Sequence, residues 1–270
     1  MIMENVEYDV VILAGQSNAE GSGVGDVESA FTPNDKIRIL EDQNKPLIHF
    51  DSKGILQVDG QLSLNIIEAK EQLNAKNQVL GNFSLSFASE YVKAGCLQGN
   101  RKLLIVYAAV GGTGFSRNQW GRGAVLQERM FAMVDYALSL HAGNKVVAFL
   151  WHQGEHDAFE NPELSDGTRE KFYYEKFGDL IKIVKNKYGD MPILAGDFSY
   201  EWVNSGYQNQ CAAIKRATKK VLKENGGAFI ETSDLLSNNQ QIGNNDTIHL
   251  SRQSLYELGK RYFKAFKKVK

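Results

Sequence analysis

The 270-residue sequence predicts an α/β fold: a parallel sheet with helices on both faces. Three observations lead there. Five short apolar runs alternate with stretches of helical periodicity, the order that right-handed crossovers between parallel strands require. Two of those runs, Arg101 to Val110 and Lys145 to Trp151, show no polar alternation, as expected of strands covered on both faces. The residues with chemical potential all fall just after the runs, where open α/β sheets bind ligands. No repeat or Pro-rich linker interrupts the pattern, so one domain over residues 1–270 is expected.

Strand one is Tyr8 to Ala14, and Gly15-Gln16-Ser17-Asn18 follows it directly. The Gly-rich stretch Gly21 to Gly25 lacks the lysine of a phosphate-binding P-loop and reads as a flexible rim. Residues 36–64 carry short β-like runs (Ile37 to Leu40, Leu47 to Phe50, Ile55 to Val58) separated by Asp, Asn and Gly, which predicts an inserted hairpin region with His49 on a surface strand. Ser84 to Ala94 is helical, with Leu85, Ala88, Tyr91 and Val92 on one face and Gly95 as C-cap.

Strand two, Arg101 to Val110, runs into Gly111-Gly112-Thr113-Gly114 and a helix buried through Leu126, Met130, Val134 and Leu138. Strand three, Lys145 to Trp151, delivers His152-Gln153-Gly154-Glu155-His156. A long helix with Tyr173, Phe177, Leu180, Ile181 and Val184 inward precedes strand four, Met191 to Ala195. The helix around Cys211, Ile214 and Val221 then leads to strand five, Ala228 to Glu231. The last helix turns Leu255, Leu258, Tyr262 and Phe266 inward and ends in lysines that suit its dipole.

Composition removes several function classes. The 31 basic and 32 acidic side chains nearly cancel, which argues against a nucleic-acid surface or a polybasic membrane patch. No apolar run reaches membrane-spanning length, and the N-terminus has neither a basic nor an apolar leader segment, so a cytoplasmic protein is expected. Two cysteines, Cys96 and Cys211, are too few for a disulfide framework or a thiolate metal site. In Gly112-Thr113-Gly114 the third glycine of a dinucleotide fingerprint is replaced by Arg117, so no nucleotide cofactor is expected.

Ser17 after strand one is either an ordinary turn residue or a nucleophile. The chain's other end favours the second, because Asp246 stands three residues before His249. Serine, histidine and a carboxylate together make an acyl-transfer triad: a hydroxyl attacks only once a base takes its proton, and imidazole titrates at about 6.5 in model peptides. Ala19 occupies the second glycine position of a G-x-S-x-G elbow, which argues against the α/β-hydrolase fold. His152-Gln153-Gly154-Glu155-His156 matches the H-x-x-E-H zinc pattern, but two histidines four apart share a face only on a helix, and this segment ends a strand and contains Gly154.

Leu13 to Asn18, Ala109 to Thr113, Trp120 to Gly123, Trp151 to Glu155 and Asp246 to Leu250 resemble, in order, the blocks of the SGNH hydrolase superfamily. They are most similar to its sialate O-acetylesterase and acetylxylan esterase branch, carbohydrate esterase family 6. The resemblance implies a three-layer α/β/α, flavodoxin-like fold around a five-stranded parallel sheet. It further implies metal-free hydrolysis of acetyl esters on sugars, with an acetylated saccharide as partner and no cofactor. By position, Ser17 would be nucleophile, His249 base and Asp246 its orienting group. The Ser17 and Gly112 N–H groups and the Gln153 amide would form the oxyanion hole. Glu155 is a second carboxylate that either assists Asp246 or is a solvated loop residue. Trp120, Tyr200 and Trp202 fall in loops where an aromatic face would stack on a sugar, with core anchors as the competing role for the two tryptophans. Two other functions compete: a metal-dependent hydrolase using His152, Glu155 and His156, and a non-catalytic carbohydrate-binding protein.

Overall fold

A computed structural model describes residues 6–45 and 48–269. Leu47 of the second expected β-like run and residues 1–5 lie outside the described residues.

Strand β1 (Tyr8–Gly15) is the centre of the sheet, because its apolar side chains feed two cores at once. Val10, Ile12 and Ala14 pack on one side and Val11 and Leu13 on the other, the period-two alternation of a strand buried on both faces. Strands β2 (Ile37–Asp42), β8 (Lys102–Tyr107), β9 (Lys145–His152), β10 (Ile193–Gly196) and β11 (Ala228–Ile230) run parallel to it. An antiparallel strand, β5 (Leu64–Glu68), closes the edge beside β2.

The order β11-β10-β9-β1-β8-β2-β5 makes seven strands among the described residues, two more than expected. The addition β2 lies within the region read as an insert, and β5 begins at that region's last residue. The Asp, Asn and Gly residues that separate the short runs suggest a surface hairpin, yet Ile37, Ile39 and Leu40 are buried against β8. Only Ile48–Phe50 (β3) and Leu56–Val58 (β4) stand apart as a hairpin, and His49 is on it. A second small hairpin, Gln72–Leu73 (β6) with Val79–Leu80 (β7), follows.

Helices α2 (Phe83–Lys93) and α9 (Arg252–Val269) cover one face, packing Phe83, Phe87, Leu255, Leu258, Tyr262 and Phe266 against Val11 and Leu13. Helices α3 (Val125–Ser139), α5 (Asp166–Tyr188) and α7 (Gln208–Glu224) cover the other through Met130, Val134, Phe177, Leu180, Ile214 and Val221. The result is three α/β/α layers, with β1 between β8 and β9 at the point where the strand order reverses. Each fully buried Leu, Ile or Phe contributes about 1.5–3 kcal/mol. No helix among the described residues is long and apolar enough to cross a membrane.

Candidate active site

Strand register brings two of the chain's polar segments to one level. Gly15 pairs with His152, so Ser17 and Gln153 leave adjacent strands together. Gly15 has φ +126°, and a Cβ there would lie 2.2 Å from the His152 carbonyl oxygen, so only glycine lets β1 end in this close turn. Gly154 has φ +146° with Phe198 2.7 Å from where a Cβ would sit, and it starts the short helix α4 (Glu155–Phe159). Ser17 begins another short helix, α1 (Ser17–Glu20).

Across this rim lies the loop before α9. His249 Nε2 is 2.9 Å from Ser17 Oγ, and His249 Nδ1 is 2.9 Å from both Asp246 oxygens. The His249 side chain is 25% exposed and that of Asp246 27%, so a small ligand can reach the pair. Asn238 Nδ2 donates to Asp246 Oδ2 at 2.8 Å, fixing the carboxylate from behind. Half-burial works to raise the Asp246 carboxyl, but the hydrogen bond and charge of His249, with the Asn238 amide, bring it below the ordinary range. Asp246 is therefore held ionised beside the imidazole.

Beside Ser17, the backbone N–H groups of Ser17 and Gly112 have no partner among the described residues. Glu20 Oε2 takes the N–H of Gly111 at 2.9 Å, while Lys45 holds Glu20 Oε1 at 2.7 Å, so the turn that presents Gly112 is anchored from α1. Gln153 is placed differently from the sequence expectation. Its Nε2 has two hydrogens and already faces Asp157 Oδ2 at 2.8 Å, Gln16 Oε1 at 3.1 Å and Thr113 O at 3.2 Å. It is only 3% exposed, so it braces the site rather than offering a free donor. Gln16, which sequence reasoning passed over, is the matching brace: its Oε1 accepts from Gln153, Gly154 N and His156 N at 3.1, 3.3 and 3.1 Å. Its position directly before Ser17 was the available signal.

The two tryptophans proposed as sugar contacts are core residues. Trp120 is 0% exposed, edge-on to Trp151, with its indole N–H on Thr113 Oγ1 at 2.9 Å. Trp202 is 5% exposed and stacks on Tyr207. Large aromatic rings gain more from full burial than a loop position suggests. Tyr200, by contrast, is 55% exposed. A groove of about 420 Å³ reaches His249 and Asp246 between the β6–β7 turn and Asn244. On the other flank Phe50 of the β3–β4 hairpin lies 3.3 Å from where a Cβ on Gly112 would be. The hairpin is tied down by Arg117, which donates to Gly54 O at 2.6 Å and pairs with Glu160 at 2.5 Å.

Glu155 and His152 are both fully buried beneath Ser17. Glu155 is not a solvated loop residue, and its Oε1 accepts from Asn18 Nδ2 at 2.8 Å. Burial pushes the Glu155 carboxyl up, and pushes His152 down to about 3. His152 packs on Phe83 and Tyr262, whereas His156 lies against Phe159 and Glu160, so the two rings of the zinc-like pattern have different neighbours. No group of three or more His, Cys, Asp or Glu side chains among the described residues is arranged to hold a metal ion.

The His152 shift has a measurable consequence. Its folded pKa is depressed below the unfolded value of 6.5, so its contribution is fully present above pH 6.5 and is lost as pH falls toward about 3, because only the unfolded chain binds the proton. At pH 5 the loss from this one group is about 2 kcal/mol. Glu155, raised by burial, has the opposite sign, so the test compares variants. Denaturant unfolding at pH 7 and pH 5 should show a smaller acid loss in His152→Leu than in the parent; equal losses would exclude His152 as the source.

With this geometry in view, the comparisons with known proteins are specific. Residues 7–268 match the family model described as carbohydrate esterase, sialic acid-specific acetylesterase. No curated protein sequence matches. Among solved structures, NanS aligns with TM-score 0.70 at 17% identity, over 99% of this chain and 98% of that one. XAC1771, a carbohydrate acetylesterase from Xanthomonas citri, aligns with TM-score 0.63 at 17% identity, over 97% of this chain and 56% of that one. A lipase/acylhydrolase from Enterococcus faecalis aligns with TM-score 0.50 at 8% identity, over 97% and 96%. At these identities the structures speak for the shared fold.

Proposed function

Given that the chain belongs to the carbohydrate esterase family of sialic acid-specific acetylesterases, an enzyme family that removes acetyl groups from sugars, we propose that Ser17, His249 and Asp246 carry its reaction. The observation that supports this most directly is Ser17 Oγ at 2.9 Å from a His249 whose other nitrogen rests on Asp246. In this reading Nδ1 carries the proton toward Asp246, leaving the Nε2 lone pair for the serine.

Ser17 Oγ attacks the acetyl carbonyl carbon while His249 Nε2 takes the hydroxyl proton. The carbonyl oxygen becomes an oxyanion met by the Ser17 and Gly112 N–H groups, which have no partner among the described residues. As the intermediate collapses, the carbon–oxygen bond to the sugar breaks and His249 returns its proton to the sugar oxygen. Acetyl-Ser17 remains; a water molecule attacks it with His249 again as base, the bond from the acyl carbon to Ser17 Oγ breaks, and His249 returns the proton to Oγ as acetate leaves. Because His249 must protonate the leaving oxygen, the sugar occupies the groove on the His249 side. The acetyl methyl then sits toward Gly112 and Phe50.

That placement makes the acyl side small, since Phe50 stands against Gly112. Hydrolysis of p-nitrophenyl esters should fall steeply from acetate to butyrate to octanoate, and an O-acetylated sialic acid should release free acetate. Octanoate as preferred substrate, or no acetate from any saccharide in a broad panel, would refute the reading. A purely sugar-binding protein would show affinity without turnover in the same assays.

A further inference from the structure

Asn18 is fully buried, directly follows Ser17, and uses its whole side chain on three partners. Its Oδ1 accepts from Leu250 N at 3.0 Å, and its Nδ2 donates to Ile248 O at 3.2 Å, so it grips the backbone on both sides of His249. The same Nδ2 donates to Glu155 Oε1 at 2.8 Å. Nucleophile and grip thus ride on one turn of α1, and the distance from Ser17 to the imidazole depends on Asn18. We infer that Asn18 is a positioning residue which holds the His249 loop and is itself aimed by Glu155, so that the second carboxylate acts on His249 at one remove. The inference rests on His249 being the base.

The surroundings of Glu155 agree with a role as acceptor rather than as a counter-charge touching the imidazole. Among the described residues its Oε2 has no hydrogen-bond partner, and neither has His152 Nε2, 3.8 Å from Oε1. Tyr262 OH donates to Trp151 O at 2.8 Å and so receives the His152 Nδ1–H at 3.3 Å, leaving Nε2 as a lone pair. The titratable groups facing Glu155 are His152, His249, Asp197, Tyr173, Cys211 and Tyr262. A glutamine at position 155 would keep the acceptor for Asn18 and present an N–H where Oε2 lacks a partner.

The test is a double-mutant cycle with p-nitrophenyl acetate, each variant normalised by titrating its reactive serine. Asn18→Ala should lower kcat by about 10²-fold with KM nearly unchanged, the cost of an imidazole about 1 Å out of place. Glu155→Met should lower kcat in the parent but add little on top of Asn18→Ala, because its effect passes through Asn18. Glu155→Gln should lose no more than about tenfold and leave the acid limb of the kcat/KM profile where it was. Losses that multiply, a kcat of Asn18→Ala close to the parent, or an acid limb displaced by Glu155→Gln would overturn the inference. Should Asn18→Ala fail to fold, the Glu155→Gln profile decides alone. Ser17→Ala run alongside separates the two levels: activity there removes the triad reading, whereas its silence combined with multiplying losses removes only the role of Asn18.

Discussion

Ser17→Ala is expected to lower kcat by about 10⁴ to 10⁶, the loss seen when a triad nucleophile is removed. Ser17 Oγ has His249 Nε2 as its side-chain partner and sits at the rim, so its loss opens no core cavity and exposes no buried polar group. The thermal midpoint should therefore stay within about a degree or two of the parent. Sugar binding should survive, because the proposed groove is lined by Asn74, Lys76, Gln78 and Asn244 rather than by the serine. The measurement is steady-state hydrolysis of p-nitrophenyl acetate beside a thermal melt. Near-native turnover in a folded variant would end the serine mechanism.

The next largest loss belongs to Asp246→Asn, at about 10⁴ in kcat. An asparagine can turn its N–H toward His249 Nδ1, which forces the proton onto Nε2 and removes the lone pair that Ser17 needs. The imidazolium formed during attack also loses the carboxylate that both oxygens now bring to 2.9 Å. Glu155→Gln leaves the imidazole tautomer untouched, so it should be the milder change. Parallel kinetics of the two variants check the order, and the reverse ranking would hand the orienting role to Glu155.

Unbroken apolarity in Val10 to Ala14 and in Leu103 to Val106 is a local signal, and together with the helical periodicity between the strands it is enough to place the central strands and their helices. The Asp, Asn and Gly residues between the short runs of 36–64 point to an inserted hairpin, whereas Ile37 to Leu40 belong to β2; β8 on one side and β5 on the other are what turn it into sheet. Long-range pairing of that kind leaves little trace in a single run of residues.

Residue identity and order likewise pointed to Ser17, Asp246 and His249, because the three-residue spacing and the place after a strand are properties of the chain itself. What each polar group has left to offer is a different matter, since it depends on partners that only the fold brings together, as far apart as the 137 residues between Gln153 and Gln16. Gln153 looks like a donor until Gln16, Thr113 and Asp157 are seen to occupy its amide, and Trp120 looks like a sugar platform until Thr113 and Trp151 close over it. Glu155 is ambiguous on paper and becomes a buried acceptor for Asn18 only when β1, β9 and the loop before α9 pack together. A hydrogen bond uses up a donor wherever in the chain its acceptor lies, so composition and spacing named the chemical groups and tertiary packing decided which of them remained free to react.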